Sequence, residues 1–173
     1  MKYIAILGVS LLFVFFLMGC STNETPLKEF KPAGAGFSVL MPGTPQLQTQ
    51  TMNTAIGPVD IKMYVLEKDN LGYTVGYTSY PEAAVSEKTP DQMLDGARDG
   101  AVANVFGTLT SEEILSINGN PAREFTITVK GGGIRARIIL VKNKLYMVLV
   151  AASKDNIMKK QVGDFLESFK LVE

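Results

Sequence analysis

Residues 134–152 read IRARIILVKNKLYMVLVAA, and these nineteen positions decide the fold. Two apolar runs of strand length, Ile134–Val141 and Leu145–Ala152, are parted by a short polar break. With Asn143-Lys144 as a two-residue turn, Leu140 lies opposite Met147 and Ile138 opposite Leu149. The alternate residues, Ile139, Val141, Tyr146, Val148 and Val150, are equally apolar. A hairpin greasy on both sides belongs to a sheet that must be covered on both.

The neighbouring segments extend this sheet. Ala122–Lys130 forms a strand that GGG at 131–133 connects to the hairpin. A four-residue loop at 131–134 sets Phe125, Ile127 and Val129 beside Leu140, Ile138 and Ala136. A three-residue loop would set Ile127 against Arg137, because a one-residue slip turns a whole face over. Leu109–Ile117 precedes it across the turn NGNP. In the first half, Phe37–Met41 alternates and ends at PGTP, and Gln46–Asn53 is a polar, threonine-rich edge strand. After a turn at Ile56-Gly57-Pro58, Val59, Ile61, Met63 and Val65 keep a period of two. KDNLG at 68–72 then turns the chain into the alternating stretch Tyr73–Tyr80.

Two helices supply cover. Thr89-Pro90-Asp91-Gln92 is a capping box with proline in the first turn. Met93, Leu94, Ala97, Ala101 and Val105 line one side of the helix behind it. Gly96 and Gly100 each cost it about 1 kcal/mol, for which close packing against the sheet is the expected compensation. Gly107 is placed to stop this helix. A last helix capped by Ser153 presents Ile157, Val162, Phe165, Leu166 and Phe169. The fold class is α+β: an α/β/α sandwich with a mainly antiparallel central sheet and two main helices.

FSVLMP at 37–42, INGNPAREF at 117–125 and FLESFKL at 165–171 resemble the Mog1/PsbP-like superfamily, over about residues 36–171. The resemblance implies one antiparallel sheet between helices, used mostly for binding. Members include lumenal photosystem II accessory proteins, a nuclear-transport cofactor and bacterial lipoproteins of obscure role. Metal binding known in some photosynthetic members has no histidine here to carry it.

The N-terminus gives an address. Lys2 precedes the uncharged run Ile4–Met18, which is shorter than the roughly 20 residues of a bilayer span and of the length of a secretory signal. Leu17-Met18-Gly19-Cys20 resembles the lipobox of bacterial lipoproteins. That resemblance implies cleavage between Gly19 and Cys20, lipid on the Cys20 thiol and usually an acyl group on the new amine. Two or more chains make attachment lasting. The expected divisions are a signal at 1–19, a lipidated, flexible tether at 20–35 and one domain at 36–173. The expected location is the cell envelope, with the outer membrane favoured because Ser21 stands where aspartate marks inner-membrane retention.

Composition excludes much chemistry. Histidine and tryptophan are absent, and Cys20 is the sole cysteine of 173 residues. There is no imidazole base, disulfide or thiolate site. Seventeen basic and seventeen acidic residues balance, so nothing draws the chain to nucleic acid. No cofactor, metal site or catalytic residue is expected. Asp91, Asp95 and Asp99 form an acidic ridge that reads as a solvated face. Lys130-Gly131-Gly132-Gly133 lacks phosphate-loop spacing and reads as a turn. Arg135 and Arg137 could clamp an anion, though a cross-strand ion pair is the plainer reading. Tyr64, Tyr73, Tyr77, Tyr80 and Tyr146 could line a groove or simply pack, with Tyr73 and Tyr77 the ligand candidates beside the two arginines. The leading expectation is a non-catalytic, membrane-anchored binding domain whose partner or ligand is open. The alternatives are a carrier of a lipid or small hydrophobic ligand, which requires a lined cavity, and a serine–lysine hydrolase, which requires such a pair within hydrogen-bonding reach.

Overall fold

The structure, a computed structural model, describes residues 26–54 and 57–172. The signal segment, Gly19, Cys20, the first residues behind them and Ile56 lie outside the described residues. The elements in chain order are β1 (Lys28–Phe30), β2 (Phe37–Met41), β3 (Gln46–Thr54), β4 (Gly57–Lys68), β5 (Leu71–Ser79), α1 (Glu82–Ser86) and α2 (Pro90–Asn104). There follow β6 (Thr108–Ile117), β7 (Asn120–Val129), β8 (Gly132–Val141), β9 (Lys144–Ser153), α3 (Lys160–Glu167) and β10 (Lys170–Leu171). Seven strands form one antiparallel sheet in the order β3-β4-β5-β9-β8-β7-β6, and β1, β2 and β10 form a small second sheet. Two meanders therefore meet where β5 pairs β9, and α1 and α2 lie in the connection between them.

The strands stand where alternation placed them, but two registers differ from expectation. The β7–β8 loop is only Lys130-Gly131, so Phe125 faces Ala136 and not Leu140. The β8–β9 turn is Lys142-Asn143, so Leu140 faces Leu145 and not Met147. Both offsets are even, so each residue stays on its expected face. A two-residue turn replaces the longer β7–β8 loop, with Gly131 (φ 85°) in the left-handed region, and the β8–β9 turn keeps two residues but begins one earlier, where Lys142 (φ 55°) takes the left-handed position. Gly57 and Pro58 belong to the β4 ladder, opposite Thr54 and Asn53, so they are not turn residues.

One face of the large sheet is closed. Tyr73, Val75, Ile139, Tyr146, Val148 and Val150 pack beneath Phe37, Val39 and Met41 of β2 and Val162, Phe165 and Leu166 of α3. Phe37 is at the centre, with its ring 5.7 Å from Phe169, 6.2 Å from Tyr146 and 6.1 Å from Tyr64. Within the 20–35 stretch expected to be a tether, Lys28–Phe30 pair with β2, Phe30 packs edge-on to Tyr64 at 5.0 Å, and Ala35 is fully buried. An aromatic and a strand rung draw this stretch into the domain. Ser153 does not cap α3. It stays in the ladder opposite Gly132, its carbonyl accepts from the amides of Asn156 and Ile157, and the helix starts at Lys160.

On the other face α2 lies over β7 and β8. Its capping box forms as expected, with Gln92 N donating to Thr89 Oγ1 (3.2 Å) and Thr89 N to Gln92 Oε1 (2.9 Å). The far end differs. Phe106, not Gly107, takes the left-handed position (φ 50°), while the amides of Phe106 and Gly107 donate to Ala103 O and Val102 O. That is a Schellman closure with an aromatic in the glycine position. Gly107 is needed for space, since a Cβ there would stand 2.3 Å from Ile127 Cγ2. Gly96 and Gly100 are not packed closely: a Cβ on either would meet nothing within 4 Å.

Candidate functional site

The empty space beside those two glycines is a cavity of about 610 Å³ between α2 and the sheet. Ion pairs hold the opposite flank of the helix down. Asp91 meets Arg123 of β7 at 2.6 Å, and Arg98 meets Glu112 of β6 at 2.7 Å. On the glycine flank the sheet continues through β9, β5 and β4. Val59, Ile61 and Met63 of β4 and Leu145, Met147 and Leu149 of β9 supply one part of the floor. Phe125, Ile127, Ile134 and Ala136 supply the part beneath the helix. The roof is Gly96, Ala97, Gly100 and Ala101, where no side chain exceeds a methyl group. Protein interiors are normally packed to crystal-like density. This gap persists because the small residues of α2 cannot reach across it.

The cavity's cation and its free hydroxyl lie where α2 begins, while Asp99 and Asn104 border it farther along the helix. Tyr80 is 8 % exposed, and backbone and side-chain hydrogen bonds to Asn143 pin its main chain (Tyr80 N to Asn143 O, 2.8 Å; Asn143 Nδ2 to Tyr80 O, 2.9 Å). Its hydroxyl has no partner among the described residues. Burial raises its pKa above the ordinary value, so it remains a donor at neutral pH. Lys88, the one cation of the described lining, is half-buried; its backbone amide donates to Val85 O at 3.4 Å, but its ammonium has no hydrogen bond or ion pair among the described residues. Thr78 is already engaged, donating to Asp60 O at 2.8 Å. Asp99 borders the mouth but accepts from Arg98 Nε at 2.9 Å.

No family model matches the chain, and no curated protein matches it. Its fold is similar to the solution structure of cyanobacterial PsbP (CyanoP) from Synechocystis sp. PCC 6803. That protein is 15 % identical, with a TM-score of 0.51 over 90 % of this chain and 98 % of the other. The fold is PsbP-like. A crystal structure of PA94, a Pseudomonas aeruginosa protein of unknown function, is 9 % identical, with a TM-score of 0.38 over 76 % of this chain and 86 % of the other.

Of the residues singled out in the sequence, Tyr80 lines the cavity, whereas the PsbP-like sheet separates Tyr73, Tyr77, Arg135 and Arg137 from it. Tyr73 and Tyr77 belong to the closed face. Tyr73 is fully buried with no partner for its hydroxyl, and burial, then the charge of Asp69, pushes its pKa up to about 12. Arg135 and Arg137 also point to the closed side. They grip the two carboxylate oxygens of Glu124, with Nε distances of 2.8 and 2.9 Å, and Arg137 Nη1 donates to Leu166 O at 3.2 Å. Burial alone would raise the pKa of Glu124, but the hydrogen bonds from Arg137 and Arg135 outweigh it and leave the carboxyl below its ordinary range. The Asp91–Asp95–Asp99 ridge is engaged with Arg98 and Arg123. Ser79 and Lys144 share a ladder rung, as do Ser38 and Lys170. However, the Lys144 ammonium donates to Ala35 O at 2.6 Å and lies over the Tyr77 ring at 4.0 Å. Sequence reading missed the cavity floor and Lys88. The available signal was the run of glycine and alanine on one flank of α2.

Proposed function

We propose that this chain is a lipid-anchored, non-catalytic binding domain that holds a small hydrophobic ligand between α2 and the sheet. The cavity of about 610 Å³ carries the reading. Ligand sites commonly measure about 300–1,000 Å³ and join a mainly apolar lining to a few placed polar groups, and this cavity has both features. Its floor spans five strands, and its shape is set by side chains held in the ladder. The Leu17–Cys20 lipobox supports the anchor: acyl chains on Cys20 would keep the domain at a membrane, where apolar molecules concentrate.

Labelling tests the site. A neutral photoactivatable hydrocarbon, applied to membranes carrying the full chain, should crosslink to peptides containing Met63 and Met147 and spare those containing Phe37 and Val162. Gly100→Leu fills the roof and should abolish that labelling without loss of fold. Equal labelling of both faces would refute the site. For the anchor, Cys20→Ser should abolish incorporation of radioactive fatty acid and membrane retention; unchanged fractionation would refute that part alone.

A further inference from the structure

The cavity is chemically lopsided. Lys88 and Tyr80 flank α1 in the chain, so the one cation and the free hydroxyl of the described lining lie at the end where the helix starts, while Gln92 there is taken up by the capping box. Toward the other end the lining is Gly100, Ala101, Ala103 and Val105 above Ile127, Ile134 and Leu149, with the neutral amide of the exposed Asn104 at the rim. A ligand filling both parts must itself be polar at one end and hydrocarbon for the remainder.

We infer that the ligand is a single-chain acyl acid, with its carboxylate held by Lys88 and Tyr80 and its tail laid along the glycine flank of α2. This rests on the reading above that a hydrophobic ligand occupies the cavity. Charge complementarity selects the acid. Among the described residues Lys88 is the only cation lining the space and its ammonium has no ion-pair partner, whereas the single carboxylate at the rim, Asp99, is already paired with Arg98. The Tyr80 side chain is largely buried, and its hydroxyl, which has no partner among the described residues, is a donor free to meet a ligand. A carboxylate can accept from both groups at once, and such charge-assisted hydrogen bonds are the stronger kind. Size agrees with one chain. At roughly 30 Å³ for each water-sized group, the volume admits about twenty, near the heavy-atom count of a sixteen- to eighteen-carbon acid. From Gln92 to Val105 the helix rises about 20 Å, giving the tail a straight path. A two-chain lipid would overfill the space.

Competition read by native mass spectrometry tests this. The full chain, in a nonionic detergent, is offered palmitic acid and hexadecanol in equal amounts, and the two adducts are counted by mass. The acid adduct should exceed the alcohol adduct by at least about tenfold. Lys88→Met should bring the ratio near one while total binding survives, and Tyr80→Phe should lower it by a smaller factor. Equal adducts on the unaltered chain would overturn acid recognition and leave the hydrophobic site standing. A preference that persists in both variants would overturn the assignment to these residues. Absence of both adducts would overturn the inference together with the reading beneath it.

Discussion

The two faces of the central sheet are built from the same strands and are equally apolar, yet they have different fates. On one, Phe37, Val39 and Met41 of β2 and Phe165 and Leu166 of α3 interlock with Tyr73, Val75 and Val148, all at most 1 % exposed. On the other, α2 supplies only Met93 and Leu94 as fully committed core residues and turns glycine and alanine toward β9, β5 and β4. The difference is one of cover. Apolar strands become core where large side chains meet them and become a binding floor where the covering helix is too thin to fill the gap.

That contrast can be broken most forcefully at Phe37. Phe37→Ala should cost about 3–5 kcal/mol in chemical unfolding, as large-to-small changes in filled cores do; a cost under 1 kcal/mol would mean the closed face is not packed. Next comes Glu124, whose removal strands Arg135 and Arg137. Glu124→Ala should cost about 3 kcal/mol, since breaking a buried pair leaves charge uncompensated. The sign with pH follows from its lowered pKa. The unfolded carboxyl titrates near 4.5, so its stabilisation is complete above that value and is lost as pH falls through the lower folded pKa. The acid limb of the stability profile should be shallower in Glu124→Gln than in the unaltered chain.

Smaller effects sharpen the comparison within α2 and its end. Gly107→Ala should destabilise by about 1–3 kcal/mol, because its Cβ has no room against Ile127. Gly96→Ala and Gly100→Ala should each stabilise by up to about 1 kcal/mol from helix propensity alone, since their surroundings are open. Loss of stability at those two positions would show that α2 lies closer to the sheet. Smallest, Tyr73→Phe should be neutral or stabilise by about 1 kcal/mol by removing a buried, unpaired hydroxyl; thermal melting would register a loss if that hydroxyl has a hidden partner.

The sheet was legible because side-chain alternation is written directly in residues such as Ile138, Ile139 and Leu140, and α2 because Thr89 and Gln92 form a local cap. Register was not, since the turn at Lys142-Asn143 carries no glycine to mark its left-handed residue. Nor was the end of α2, where Phe106 accepts a conformation usually left to glycine. The joining of Lys28–Phe30 to β2 depends on the distant Tyr64. The site was the least legible part. Gly96 and Gly100 announce that something lies close to the helix or that nothing does, and only the position of the opposing strands distinguishes these. Tyr73 and Tyr77, able from the sequence either to line a groove or to pack, are sent by strand parity to the closed face, and Arg135 and Arg137 make the cross-strand ion pair that was the plainer reading.

Methionine methyl NMR puts the central contrast to its most direct test. Met63, Met93 and Met147 line the cavity, and Met41 lies in the closed core. On titration with palmitate the first three methyl signals should shift together and saturate, while that of Met41 stays in place. A shift confined to Met41, or no saturable shift at Met63 and Met147, would contradict an account in which one face is core and the other is the binding site.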